Sequence, residues 1–276
     1  MVFAIFSGKG NAYTTIMPLG KPRRASLIRK RHGKDSAQRI FDLATQLRNH
    51  GRLSQAESLY RKSLALRKEA LGPQHPSVGD SMNSLASLLD EKERYGEAEP
   101  LYRQSLELRK KTLGREHRDV ASSLSNLANL LQSTGRHAEA EKLYLQSLKL
   151  RKKAYGSRHQ NVAMCMSNLA IFMQTSGRSA KAEPLFKRAL RMLEDVAGST
   201  HHLTAYTKAN FADFLLLTGR PSDALPLAEK ALADLRNTLP AGHRYVKWAR
   251  SVFKRAKPQL AKRTRRLPKP KSGRPC

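Results

Sequence analysis

The hydrophobic positions of this chain recur every 42 residues, and within each unit they follow the period of an amphipathic helix. In the unit that begins at His117, the residues Leu124, Leu127, Ala128 and Leu131 lie three, one and three positions apart. This spacing places them on one face of an α-helix, with polar residues between them on the other faces. The first half of the unit is therefore predicted to be a helix with one buried face.

The second half of the same unit carries an apolar face of its own, formed by Ala140, Leu143, Tyr144 and Leu148. Gly135 follows the first segment and Gly156 follows the second. Glycine favours helix ends because it adopts the left-handed backbone conformation at little cost. We also expect Asp119 to cap the first helix with its side-chain oxygen. Each unit is thus predicted to be a helix–turn–helix.

Five such units follow one another, and equivalent positions keep their character. One predicted core set on the first helices is Leu43, Leu85, Leu127, Leu169 and Phe211. A matching set on the second helices is Leu59, Leu101, Leu143, Leu185 and Leu227. A fixed period of this length indicates stacked units, none of which buries its apolar face alone. A further helix from His243 to about Lys257, with Trp248 and Phe253 as its contacts, is expected to close the stack.

Several short motifs recur in phase with the period. They include HPSV at 75–78, NLA at 126–128 and 168–170, GEAEPLY at 96–102 and LGPQHP at 71–76. In these motifs the chain from about residue 35 to 245 resembles the tetratricopeptide repeat, in the 42-residue form found in kinesin light chains. The resemblance implies an all-α, right-handed superhelical solenoid of about five TPR-like helix pairs plus the closing helix. It also implies a non-enzymatic scaffold or adaptor that binds a partner protein or peptide in its concave groove.

Kinesin light chains themselves carry a long heptad coiled coil before the repeats. Only about thirty residues precede the first repeat here, and they show no heptads. A light-chain-like cargo adaptor is therefore kept as an alternative function and is not the leading expectation.

In this family the first helices line the concave face, so their unpacked positions are the candidate peptide groove. The candidate residues are Asn83, Asn126, Asn129, Asn168, Asn210, Met164, Ile171 and Tyr206. Asparagine amides both donate and accept hydrogen bonds, as holding an extended peptide requires. The same amides would also serve to stitch adjacent helices, and the sequence leaves both interpretations open. Apolar pockets for a partner are expected around Met164, Ile171, Tyr206 and Leu216.

The charge of the chain changes this picture at its two ends. The formal net charge is +30, and residues 1–34 and 254–276 carry eight and ten Lys and Arg with no acid. We predict a basic, disordered extension at 1–34, a solenoid at 35–256 and a basic disordered tail at 257–276. The partner is expected to be a protein or peptide, with acidic character one option. A nucleic-acid-associated protein acting through the tails is the alternative from another class.

A basic stripe also ends the second helices, as Arg67-Lys68, Arg109-Lys110-Lys111 and Arg151-Lys152-Lys153. Cations there complement the negative end of the helix dipole, by roughly 0.3–1 kcal/mol each. A solvated face is therefore favoured over a ligand patch. The stripe stops after the third unit, where Leu193 and Leu235 take the arginine positions.

No sequence motif for catalysis is present, so we expect no enzyme, cofactor or metal site. The recurring histidines, His75, His117, His159, His201 and His243, lie one per unit and are interpreted as loop and capping residues. Cys165 is expected to be a small packing residue. No stretch is long and apolar enough to span a membrane, so no membrane partner is expected. A cytoplasmic location is favoured, with the nucleus or an organelle as alternatives suggested by the basic ends.

Overall fold

The computed structural model of this protein describes residues 22–266, and describes side chains from residue 33 to 257. Every regular element in that range is a helix. The helices are α1 (Pro22–Asn49), α2 (Leu53–Leu71), α3 (Pro76–Glu91), α4 (Tyr95–Leu113), α5 (Arg118–Ser133), α6 (His137–Tyr155), α7 (Gln160–Thr175), α8 (Ser179–Ala197), α9 (His202–Leu217), α10 (Pro221–Thr238) and α11 (Arg244–Arg266).

Consecutive helices pack as five antiparallel pairs, from α1 with α2 to α9 with α10, and α11 packs against both α9 and α10. Each second helix also contacts the first helix of the next pair. First helices of successive repeats contact each other as well, as α3 does with α5, α7 with α9 and α9 with α11. The first helices therefore form the inner layer of the stack. The predicted all-α solenoid of five pairs and a closing helix is confirmed.

The two terminal helices run past the predicted limits of the solenoid. Helix α1 begins at Pro22, before residue 35, and α11 ends at Arg266, beyond residue 256. The remainder of the predicted extension and tail, at 1–21 and 267–276, lies outside the described residues. The division of the chain into extension, solenoid and tail stays a prediction.

The predicted first-helix core is buried, with one exception. Leu85, Leu127 and Leu169 are 3%, 1% and 4% exposed, whereas Leu43 is 48% exposed. The prediction for Leu43 is wrong because this position packs against the preceding repeat, and α1 belongs to the first one. Leu85 is buried because α3 packs against α2, the second helix of the preceding repeat, and α1 has no such neighbour.

Buried serines hold the two helices of a pair close together. Ser63, Ser105 and Ser147 on second helices are fully buried, and their hydroxyls donate to main-chain oxygens of Ala37, Gly79 and Ala121 at 2.7–2.8 Å. The acceptor positions are small residues, so the helices approach without a side chain between them. A Cβ at Gly79 would lie only 3.4 Å from Cγ of Arg109.

Histidines cap the first helices from α3 onwards. In each case the imidazole Nδ1 accepts the main-chain N–H two residues later, at 3.0–3.3 Å, for His75, His117, His159, His201 and His243. The interpretation of these histidines as capping residues is confirmed. The prediction that Asp119 caps α5 is wrong, because Asp119 supplies the N–H that His117 accepts. Gly135 and Gly156 end their helices at φ 77° and 79°, as predicted.

Candidate peptide-binding groove

A buried arginine fixes the first helices relative to one another. Nη1 of Arg109 donates to the main-chain oxygen of Asp119 at 3.0 Å and to Oγ of Ser123 at 2.8 Å, both on the next repeat. Nη2 donates to Oδ1 of Asp80 at 2.7 Å, on its own repeat. The planar guanidinium therefore joins α3, α4 and α5 at one point, a geometry that lysine does not reproduce.

The same clamp recurs one repeat before and one repeat after. Arg67 donates to Ser77, Ser81 and Gln38 at 2.7–3.0 Å. Arg151 donates to Asn161 and Ser122, each at the longer distance of 3.4 Å. Arg67 and Arg109 are only 3% and 6% exposed, so the prediction of a solvated basic face is wrong for the arginines. The available signal was the choice of arginine at this position in three successive units, since the lysines that follow recur with the same period.

A buried lysine takes over between the fourth and fifth repeats. Lys208 is 3% exposed, and its Nζ donates to the main-chain oxygen of Ser199 at 2.8 Å. Its Nζ also lies 3.6 Å from Oε1 of Glu194 and 3.8 Å from Oδ2 of Asp234. Leu193, at the arginine position of α8, is fully buried. This junction therefore uses a different set of polar contacts from the first three.

Buried tyrosines of the second helices form hydrogen bonds with polar side chains of the first helices. Tyr60 and Tyr144 are each 1% exposed. The Tyr60 hydroxyl lies 3.0 Å from Oγ1 of Thr45. The Tyr144 hydroxyl lies 2.5 Å from Oδ1 of Asn129 and 2.8 Å from Oε1 of Gln132. Since one hydroxyl has one proton, Tyr144 donates to one of these oxygens at a time. Polar side chains of the inner face are thus held in place.

Asp90, at the end of α3, is a carboxyl of the inner face whose pKa is raised. Burial raises the pKa of its carboxyl to about 6, and the neighbouring charge of Glu91 adds to the shift. A hydrogen bond from Tyr102 and the charge of Arg48 act in the opposite direction. Arg48 is itself paired with Glu91, from Nε to Oε2 at 2.8 Å. The inner face is therefore acidic at the end of α3, and Arg48 neutralises part of that negative charge.

The candidate asparagines lie in three kinds of surroundings. Nδ2 of Asn126 donates to Oδ1 of Asn83 at 3.2 Å, which joins α5 to α3. Asn210 is 5% exposed and accepts Nε1 of Trp248 at 2.8 Å, which joins α9 to α11. Asn168 is half-buried at the corresponding position of α7. Asn83, Asn126 and Asn210 thus form hydrogen bonds between helices, and peptide contact by any asparagine stays a prediction.

The apolar candidates divide between the surface and the core. Met164 and Ile171 are half-buried on α7. Tyr206 is half-buried on α9, and its ring stacks on Tyr245 with 4.1 Å between centroids. Burial raises the pKa of the Tyr206 hydroxyl. Leu216 is 6% exposed and belongs to the core, so its predicted place in a pocket is wrong.

Charge is unevenly distributed along the inner face. Helix α3 carries Asp80, Asp90 and Glu91, and Asp213 of α9 pairs with Arg255 of α11 at 2.6 Å. Between them, α5 and α7 present a continuous set of half-buried, uncharged side chains. We call these residues the neutral patch: Ser122, Asn126, Asn129, Gln132, Met164, Asn168, Ile171 and Gln174.

The sequence model of the Tetratricopeptide repeat family matches residues 36–111, 119–195 and 172–237. The chain belongs to the tetratricopeptide repeat family. The predicted family resemblance is confirmed, and the helix pairs described above are tetratricopeptide repeats. No curated protein matches the sequence.

Solved structures similar to this tetratricopeptide repeat protein include kinesin-light-chain-type repeats. Two are crystal structures of a Podosopora anserina protein of this type with nearly identical TPR-like repeats, one of them a Q17M variant. The Q17M structure has 23% identity and a TM-score of 0.57, and the match covers 75% of this chain and 97% of that one. The other has 24% identity, 74% and 97% coverage and a TM-score of 0.56. BtubC (BKLC) from P. vanneervenii is 20% identical, with 93% and 98% coverage and a TM-score of 0.53. These similarities establish the shared repeat fold.

The described part of this tetratricopeptide repeat protein offers neither a metal-binding cluster nor a membrane-spanning helix. Among residues 22–266, no group of three or more His, Cys, Asp or Glu side chains is placed to hold a metal ion. None of the helices α1–α11, as far as they are described, combines the length and apolarity needed to cross a bilayer. Cys165 is 1% exposed, and burial raises the pKa of its thiol.

Proposed function

We propose that this tetratricopeptide repeat protein is a non-enzymatic scaffold that holds a peptide segment of a partner protein against the neutral patch. The observation that carries the proposal is the join of α5 and α7. There, half-buried amides stand beside the half-buried side chains of Met164 and Ile171, with no charged group between them. Amides match the donors and acceptors of an extended backbone, and the apolar side chains favour an apolar residue of the partner.

The charges at the two ends of the inner face give such a peptide a direction. Asp80 and Asp90 of α3 disfavour partner carboxylates at that end. Arg255 of α11 contributes positive charge at the other end, where its only acidic neighbour among the described ion pairs is Asp213. Acidic residues of a partner peptide, if present, are therefore expected toward α9 and α11, and basic residues toward α3.

The proposal is tested with peptides selected by the full chain from a displayed random library. Binding of a selected peptide is measured by fluorescence anisotropy for the unchanged protein and for Ile171→Gln and Met164→Gln. A matched control is Leu145→Gln, since Leu145 is a 49% exposed leucine on α6, away from the neutral patch. Circular dichroism verifies that all variants remain helical.

We expect Ile171→Gln and Met164→Gln to weaken binding about tenfold, as loss of a buried apolar contact worth ~1.4 kcal/mol would. Leu145→Gln should leave the affinity within about twofold, a change of less than 0.5 kcal/mol by the same relation. Equal affinities for all three variants would place the peptide elsewhere and contradict the proposal.

A further inference from the structure

One face of α11 consists of exposed cations. Arg244, Lys247, Lys254 and Lys257 are exposed, and Ser251 between them is the uncharged member of the same face. The opposite face is fully buried in the solenoid through Val246, Ala249, Val252 and Ala256. From Arg244 to Lys257 the helix rises about 20 Å. We call the four exposed cations the α11 stripe.

Several cations elsewhere in the solenoid have structural partners, whereas three of the four cations of the α11 stripe have no ion-pair partner among the described residues. The fourth, Arg244, lies over the ring of Tyr245, with 5.1 Å between Cζ and the ring centroid. The clamp arginines are buried, and the arginines that precede second helices pair with glutamates of the previous repeat. These pairs are Arg94–Glu57, Arg136–Glu99, Arg178–Glu141 and Arg220–Glu183, at 2.7–3.0 Å. By contrast, no acidic side chain among the described residues forms an ion pair with Lys247, Lys254 or Lys257, and α11 itself contains no Asp or Glu.

The curvature of the solenoid brings the first repeat back to this stripe. A Cβ at Gly51, in the loop between α1 and α2, would lie 3.0 Å from Nζ of Lys247. His50 is close enough for its charge to contribute to the lowered pKa of His243, together with burial, Arg244 and His202. Arg52, the next residue of the loop, is exposed.

Two acids among the described residues moderate the charge around α11: Asp213, which pairs with Arg255 at 2.6 Å, and Glu91, which acts on Arg244. Arg244 is an exposed residue, but its guanidinium is partly desolvated beside Tyr245, which opposes the charged form. Neighbours that include Tyr245 and Glu91 nevertheless raise the pKa of the guanidinium overall. Glu91 already neutralises Arg48 through their 2.8 Å ion pair. The two ends of the solenoid therefore meet with a surplus of positive charge, which raises the local concentration of anions.

We propose that the α11 stripe, together with the loop His50–Arg52, binds the phosphate backbone of a nucleic acid. A duplex carries one negative charge per about 1.7 Å of its axis, so several phosphates lie within the length of the stripe. Lysines on phosphates position a protein without reading bases, so the binding is independent of sequence. This surface is separate from the neutral patch, and the proposal does not rest on peptide binding there.

The placement of apolar residues favours a nucleic acid over an anionic membrane. Interfacial helices bind membranes by inserting an apolar face beside their cations. The apolar face of α11 is packed against α9 and α10, and Trp248 and Phe253 also pack against the core. The exposed face offers charge alone, which suits phosphates in water.

The experiment uses the full chain and a fluorescein-labelled DNA duplex of about 20 base pairs, long enough to exceed the stripe. Binding is measured by anisotropy across a series of KCl concentrations. The test variant is Lys247→Gln/Lys254→Gln/Lys257→Gln. The matched control is Lys62→Gln/Lys68→Gln/Lys152→Gln, which removes three exposed lysines from second helices and changes the net charge equally. Anionic phosphatidylserine vesicles are measured in parallel.

The slope of log K against log salt is negative, and the test variant should reduce its magnitude by about 2–3, since each phosphate contact contributes about 0.9. The control should change the slope by less than about 1 by the same relation. Equal losses in the two variants would reduce the effect to net charge, and no loss in the test variant would assign binding to residues outside the stripe. A variant that loses vesicle binding but keeps duplex binding identifies a membrane surface. Each of these three results overturns the proposal. If the triple variant is not helical, Lys254→Gln is compared with Lys68→Gln in the same assay.

Discussion

At the scale of single residues, the junctions between the first repeats depend on buried guanidinium groups. Arg109 makes three hydrogen bonds to groups from two repeats, and its side chain is only 8% exposed. Its strict recurrence does not single it out, because Lys68, Lys110 and Lys152 recur with the same period, and only its being an arginine distinguishes it from Lys110 and Lys111. Which cation of a basic run is buried depends on the rotation of the helix against the next repeat, and this was not derivable from charge alone.

We expect Arg109→Lys to lower the free energy of unfolding by about 1–3 kcal/mol, because a single ammonium leaves part of the buried acceptor set unsatisfied. Urea denaturation measures the change. Arg103→Lys is the control, since Arg103 forms ion pairs at a 43% exposed side chain, where less than about 1 kcal/mol is at stake. Similar losses in both variants would show that the clamp contributes no more than a surface pair.

Asp90 gives a prediction about pH at the same scale. Its pKa is about 6 in the folded protein, against 3.8 for an unperturbed carboxyl. Between these values the folded state keeps a proton that the unfolded state has lost, so the contribution of Asp90 to stability falls as pH rises through this window. Above about pH 6 the whole penalty of the buried charge is present.

Asp90→Asn should therefore stabilise the protein at pH 7.5, on the order of 1–3 kcal/mol. It should have little effect near pH 3.5, where Asp90 is protonated in the folded protein and mostly protonated in the unfolded chain. Denaturation curves at the two pH values provide the measurement. An effect of the same size at both would mean that the carboxylate charge is not what destabilises this position.

At the scale of elements, the sequence predicts the helices closely, but it assigns the N-cap of α5 to Asp119 as well as to the recurring histidine. The apolar period predicts each helix pair, and the glycines predict where helices end. Asp119 was the expected cap of α5 because aspartate is among the favoured N-cap residues. The structure uses His117 instead, whose Nδ1 lies in reach of the N–H of Asp119 at 3.2 Å. The recurrence of the histidines was visible, but the acceptor atom depends on side-chain rotation.

We expect His117→Ala to lower the free energy of unfolding by about 0.5–2 kcal/mol, the usual effect of removing a cap. His117→Ser should recover most of this loss, because a serine oxygen accepts the same kind of main-chain N–H. Thermal and urea unfolding of the two variants test the expectation. If alanine and serine are equally destabilising, the imidazole acts through packing and not as an acceptor.

The candidate groove was predicted in part at the element scale. The inner-face helices and the positions of Asn126 and Asn129 follow from the helical period. Their partners do not, because Asn83 and Tyr144 come from neighbouring helices whose rotation and spacing depend on packing. Asn210 takes one of the two roles that the sequence left open, because Trp248 of α11 donates to it. Leu216 was misplaced, since packing in the last repeat buries it.

At the scale of the whole molecule, the repeat period gives the topology but not the curvature. Each junction adds a small rotation that depends on the sizes of the side chains between two repeats. The approach of Lys247 to Gly51 is the sum of these rotations over the whole array, and no single unit of the sequence contains it. The surface that this curvature creates, between the α11 stripe and the loop after α1, was therefore not predicted from the sequence. The basic composition of α11 was visible there.

The change of junction chemistry after the third repeat limits where the array is extendable. Arg67 and Arg109 present the same donors to the same kinds of acceptor. If the second unit were duplicated, each copy would therefore meet a matching surface on both sides. A duplication of the fifth unit would not, because Lys208 of the copy would face Arg236, which stands 42 residues after Glu194, in place of that carboxylate. Growth within the first repeats would also carry α11 past the loop at Gly51, so the number of units sets whether the two ends of the spiral touch.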